Sequence, residues 1–198
     1  MSPGRRPGRQ IARWYPRTVR LRTLGFLSAV GAALAACGAG SSSSPTTLAP
    51  KPAGSHPSSI SRQVCSREAQ KELASALGET AIVSTPIWSG HLYSCSYDYP
   101  TSTPSGSYKV SVKELSNWPE THAYFDALAT RMGKSRDLAA LGDGAFQTTD
   151  GSVVVRKDWK VLTVDDTGLP PQFGIPATSA ASVAVTVADV ILGCWAGD

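Results

Sequence analysis

Leu92-Tyr93-Ser94-Cys95-Ser96-Tyr97-Asp98-Tyr99 alternates rings and a thiol with small polar residues, and this alternation decides the fold. Successive side chains of a strand point to opposite faces, so Tyr93, Cys95, Tyr97 and Tyr99 share one side. The stretch Tyr108 to Leu115 alternates again, with Tyr108, Val110 and Val112 opposite Lys109, Ser111 and Lys113. The Pro/Ser/Gly-rich segment Pro100 to Gly106 between them predicts a hairpin. Just upstream, Ala81 to Trp88 reads as another strand, turning at Ser89-Gly90.

Helices flank this unit. Ser66 can cap a helix from Arg67 to Leu77, with Ala69, Leu73, Ala76 and Leu77 on one face and Gly78 as its stop. Downstream, Asn117 opens a second helix, with Pro119 in the first turn and Glu120 completing a capping box. Tyr124, Phe125, Leu128 and Met132 form its apolar stripe, and Gly133 ends it. A loop through Leu141-Gly142-Asp143-Gly144 leads to a strand, Ala145 to Thr149, and Asp150-Gly151 is a strong hairpin turn. Ser152 to Arg156 and Trp159 to Val164 follow as strands joined around Lys157-Asp158. The closing segment, Ala177 to Cys194, carries both periods. Val183, Val185 and Val187 alternate, while Val183, Val187, Val190 and Cys194 share a helical face. Its length and alanine content favour a helix. The expected fold is α+β: an antiparallel sheet of about five or six strands with two or three helices packed on it, in the order α-βββ-α-βββ-α.

The whole chain has a formal charge of +4 and a pI near 9.0, which suggests an anionic partner. That excess is local. Residues 1–36 hold seven arginines and no acid, so 12 basic and 15 acidic side chains remain, about −3 in all. A mildly acidic remainder has no electrostatic footprint for nucleic acid.

Residues 1–36 follow the order of a secretory signal: an arginine-rich start, the apolar run Leu24 to Ala36, then small residues before a cut. The run of 13 residues is shorter than the roughly 20 needed to span a bilayer. Arg5-Arg6 is followed by Pro7-Gly8, where a twin-arginine signal needs apolar residues. Translation from Val19 would leave a compact signal of the same kind. Leu34-Ala35-Ala36-Cys37 resembles the lipobox of bacterial lipoproteins. The resemblance implies that the Cys37 thiol is lipidated and becomes the mature N-terminus, held on the extracytoplasmic face of the cell membrane. Residues 37–60 are rich in Ser, Pro, Gly, Ala and Thr and read as a disordered tether, with a reach of roughly 25–30 Å for a flexible coil. His56 falls in it and is expected to be solvated. Residues 61–198 then form one extracytoplasmic domain.

Within that domain the chemistry-bearing residues are few. The chain has no G-x-S-x-G, P-loop, H-E-x-x-H or dinucleotide fingerprint. His91 in a turn and His122 in the first turns of a helix are the only histidines of the domain, and a serine hydrolase would need one of them near a serine and a carboxylate. Asp165-Asp166 could hold a cation with Asp143 or Asp150, though loop acids are ordinarily solvated. Trp88, Trp118, Trp159 and Trp195, with Tyr93, Tyr97, Tyr99 and Tyr108, could line a groove but more simply supply the core. Cys65, Cys95 and Cys194 in an exported domain point to a disulfide rather than a zinc site, and their spacing does not choose among three pairings.

Cys65 before a helix ending Ala76-Leu77-Gly78, Cys95-Ser96-Tyr97 on a strand, and Leu141-Gly142-Asp143-Gly144-Ala145-Phe146 before a hairpin together resemble an uncharacterised family of actinobacterial surface lipoproteins. The likeness covers about residues 61–195. Its Leu-Gly-Asp-x-Ala element also resembles extracellular sensor domains of some actinobacterial Ser/Thr kinases. The resemblance implies a Cys65–Cys95 disulfide with Cys194 as the odd cysteine, and it brings no catalytic residue, metal or cofactor. The expected role is a non-enzymatic binding or accessory module, joined to the membrane by its lipid. Its partner would be a small ligand, a cell-wall component or an envelope protein. An envelope hydrolase using His91 or His122 is the alternative.

Overall fold

A computed structural model describes residues 50–195. The signal segment, the Val19 start, the lipidation site at Cys37 and residues 37–49 of the expected tether lie outside the described residues. Four helices are present: α1 Ser59–Gln63, α2 Arg67–Leu77, α3 Trp118–Met132 and α4 Ala180–Gly193. The strands are β1 Ile82–Val83, β2 Ile87–Ser89, β3 Leu92–Tyr99, β4 Gly106–Glu114, β5 Lys134–Leu138, β6 Gly144–Thr148, β7 Val153–Lys157, β8 Lys160–Asp165, β9 Gln172–Phe173 and β10 Thr178–Ser179.

The first eight strands form one sheet in the order β1-β3-β4-β8-β7-β6-β5, with β2 also pairing β3. All its pairings are antiparallel. β9 and β10 make a separate small ribbon. The α+β class and the antiparallel sheet are as expected, but the strand count and element order are not. The sheet has eight strands rather than five or six. Ala81 to Trp88 is not one strand: Pro86 has no N–H for a ladder, and the segment divides into β1 and β2. The segment after α3 was expected to be a loop and instead begins with β5.

The hairpin that decides the fold forms in the expected register, with Tyr93 opposite Val112, Cys95 opposite Val110 and Tyr97 opposite Tyr108. These residues share a face with Leu162, Val164, Val153 and Val155, and α2 and α4 cover it with Leu73, Leu77, Val183 and Val187. The Tyr97 and Tyr108 rings stack at 5.0 Å. Tyr97 donates to the Val64 carbonyl at 2.6 Å and Tyr99 to the Tyr108 hydroxyl at 3.3 Å, so these buried phenols keep partners. Burial, first of all, pushes the Tyr97, Tyr99 and Tyr108 hydroxyls above their ordinary value. On the other face, α3 covers a smaller cluster, where Leu128 meets Leu115, Phe146, Val154 and Val161.

The caps follow the sequence. Ser66 accepts from the Ala69 N–H at 3.2 Å, and Gly78 closes α2 with φ 66°. A Cβ there would also stand 2.6 Å from the Ile175 carbonyl, so the site needs glycine twice over. Of the expected α2 stripe, Ala69, Leu73 and Leu77 are buried while Ala76 is exposed. Asn117 accepts from the Glu120 N–H at 2.9 Å, and Glu120 reaches back to the Ser116 N–H at 3.0 Å. The closing segment is helical, with Ser179 capping α4 and Val183, Ala184, Val187, Ala188 and Ile191 buried. The β7–β8 turn falls one residue later than expected, on Asp158 and Trp159, both with positive φ.

The segment before α1 is packed against the domain. Ala53 donates to the Leu115 carbonyl at 3.1 Å, the Trp88 indole donates to the Ser55 carbonyl at 3.0 Å, and Ile60 is buried. The expected boundary at 60/61 therefore cuts through helix α1 rather than ahead of it.

Candidate functional site

His91 lies at the β2–β3 turn with φ 60°, exposed, its ring edge-on to Trp88 at 5.8 Å. His122 is exposed on α3, edge-on to Trp118 at 5.7 Å. Neither imidazole is brought into a hydrogen bond with a Ser, Asp or Glu among the described residues.

The four aspartates named from sequence divide. Asp143 stands at the end of the sheet where β6 begins, accepting from the Asp158 N–H at 3.3 Å. Asp150 and Asp166 meet at the opposite end, on either side of Ser152. The Ser152 N–H donates to Asp150 at 3.3 Å and the Ser152 hydroxyl to Asp166 at 3.0 Å. Thr148 also donates to Asp150. Asp165 turns outward and accepts from Thr167 at 2.7 Å. Burial pushes the Asp166 carboxyl above its ordinary value, and the Ser152 bond only partly offsets this. For Asp150, burial acts the same way, but the bonds from Thr148 and Ser152 outweigh it and hold the carboxyl below its ordinary value. Among the described residues no three His, Cys, Asp or Glu are placed to hold a metal ion.

The aromatic residues do not line one groove. Tyr97, Tyr99 and Tyr108 are core, and Trp195 is buried with its indole donating to Asp158 at 3.1 Å. Cys65 and Cys95 form a disulfide with Cα atoms 6.1 Å apart, tying the α1–α2 junction to β3. Cys194 takes no part in it and borders a small apolar cavity with Ile60, Val64, Ala69, Ile191 and Trp195.

A cleft over Glu114 was not visible in the sequence. The segment Lys51 to Ser59 arches over the end of β4 and leaves a cavity of about 250 Å³ lined by Lys51, Pro52, Gly54, His56, Ser58, Ser59 and Glu114. Glu114 is only 4% exposed. One of its oxygens accepts from the Ser58 N–H at 2.8 Å and the Ser61 hydroxyl at 2.5 Å. These bonds fix the carboxylate while Lys51 and His56 stand exposed on the rim. The arrangement sets an anionic group deep and two basic side chains at the mouth. In sequence, Glu114 only ends an alternating strand, and His56 sits in a low-complexity stretch. The one available signal was Ser58-Ser59-Ile60-Ser61, a cap followed by an apolar residue. Comparison of the chain with family models, with curated proteins and with solved structures finds no match.

Proposed function

We propose that this chain is a lipid-anchored, non-enzymatic binding module of the cell envelope, held through Cys37 on the extracytoplasmic face of the membrane. The surface-lipoprotein family that the sequence resembles is part of the same proposal. The cleft over Glu114 carries the binding reading. It is small and holds a buried carboxylate fixed by Ser58 and Ser61, with Lys51 and His56 exposed at its mouth. A ligand with an ammonium to meet Glu114 and an acidic group to meet Lys51 and His56 suits it, as in an amino acid or an amino-sugar acid of the wall. The Cys65–Cys95 disulfide supports an oxidising compartment.

Two experiments test this. Cells fed radiolabelled fatty acid should label the wild type and leave Cys37→Ala unlabelled; a labelled mutant removes the anchor. The purified lipidated protein, titrated with wall-derived amino acids and amino sugars, should show saturable binding that Glu114→Gln weakens at least tenfold. Turnover on ester, peptide or glycan substrates that disappears in His91→Ala or His122→Ala would instead establish the hydrolase alternative.

A further inference from the structure

Every tryptophan and histidine among the described residues stands at one end of the molecule. Trp88 lies on β2 beside the start of β3, and Trp159 in the β7–β8 turn accepts from the Leu115 N–H. Trp195 bonds Asp158 in that same turn. Trp118 opens α3 and holds His122 against its ring, His91 accepts from the Glu114 N–H, and His56 edges the Glu114 cleft. The described chain also begins here, since Ala53 and Ser55 are bonded to Leu115 and Trp88.

We infer that this end docks on the membrane that carries the anchor, against the headgroups of anionic lipid. The inference rests on the lipid-anchored reading above. Twelve residues lie between Cys37 and Pro50, and at full extension the thirteen steps span at most about 45 Å. The chain therefore leaves the domain from this end and keeps it within reach of the bilayer. Two large apolar side chains are exposed at that end, Trp118 at 38% and Ile87 at 65%. Indole rings favour the headgroup level, where one edge is apolar and the N–H is wet.

Charge runs the same way. Lys51 is exposed on the rim of the Glu114 cleft, and Lys113 reaches the Gly90 carbonyl of the β2–β3 turn at 2.5 Å. Of the nearby acids, Glu114 is buried against Ser58 and Ser61, while Glu120 and Asp143 are exposed and Asp158 bonds Trp195; Arg156 and Lys157 stand at the same end. The opposite end carries the acids Glu79, Asp98, Asp150 and Asp165 with Lys109 and Lys134 among them, and the exposed Ile82 and Ile175. A net acidic domain would be repelled by an anionic surface in random orientation, whereas this distribution turns the basic end toward it. The anchor supplies a high local concentration, so a weak contact of one ring, one aliphatic side chain and two lysines suffices.

The test uses the lipidated full-length protein on vesicles of phosphatidylglycerol and phosphatidylethanolamine with brominated acyl chains, read by tryptophan fluorescence. Bromine should quench the wild type, and Trp118→Phe should lose most of that quenching. Quenching should persist when a 20-residue Gly/Ser insert separates Ala49 from Pro50, and fall in the Lys51→Glu, Lys113→Glu double variant. Protein that floats with vesicles but is quenched no more than Trp118→Phe overturns docking and leaves the anchor standing. Quenching abolished by the insert alone also overturns docking, since the leash would then explain the proximity. Protein that does not float with the vesicles overturns the anchor, and docking with it.

Discussion

Asp150 and Asp166 share Ser152 yet have opposite consequences for stability. The folded state raises the Asp166 carboxyl above its ordinary value. Its favourable contribution is therefore complete below the ordinary carboxylate range and is lost as pH rises through the raised value. The folded state lowers the Asp150 carboxyl, so its contribution is present above the ordinary range and lost as pH falls through the lowered value. Asp166→Asn keeps an acceptor for the Ser152 hydroxyl and cannot ionise, so it should melt no lower than wild type at pH 7 and lose ground only in acid. Asp166→Ala leaves that buried hydroxyl without its acceptor and should cost about 1–3 kcal/mol. Thermal melts of the three proteins from pH 3 to pH 8 check this, and a wild type that outlasts Asp166→Asn at pH 7 contradicts it. Sequence placed Asp165-Asp166 at a strand end but could not say which one turns inward. That depends on Gly151, where a Cβ would stand 2.7 Å from the Asp166 carboxylate, and on the Ser152 hydroxyl, both on a neighbouring turn.

At the scale of elements, legibility followed burial. β3 and β4 have one buried face, so their alternation was explicit and their residues were found almost to the end. β5, Lys134–Leu138, has four exposed positions before a half-buried leucine, and an edge strand without a buried face leaves no period to read. Helix ends were legible because caps are local chemistry, as at Ser66 and Asn117. The disulfide belongs to this scale too, because it joins two elements. The span from Cys65 to Cys95 is 30 residues, for which chain entropy suggests roughly 3–4 kcal/mol of stabilisation. Urea unfolding with and without reductant should show a loss of that size in the wild type and none in a Cys65→Ser, Cys95→Ser variant. A reductant-independent midpoint would mean that the link is open in solution.

The whole molecule shows why the cleft escaped the sequence. Composition averages over a stretch, and residues 37–60 average to a chain that cannot bury itself; single anchoring contacts do not show in an average. Ile60 is 5% exposed, and Ser58 caps α1 while its N–H holds Glu114. A domain begun at Ser61 loses all three. Removing the buried Ile60 side chain corresponds to a truncation worth about 2–5 kcal/mol. Taking away Ser58 leaves a buried carboxylate short of a donor, at about 1–3 kcal/mol more. Comparing fragments that begin at Pro50 and at Ser61, the longer should therefore be more stable by at least about 3 kcal/mol, read as a shift of the urea midpoint at unchanged slope. Ile60→Ala in the longer fragment should recover about half or more of the difference, which separates packing from the polar contacts. Equal midpoints for the two fragments would mean that residues 50–60 are not bound to the domain in solution, and the Glu114 cleft would lose its outer wall.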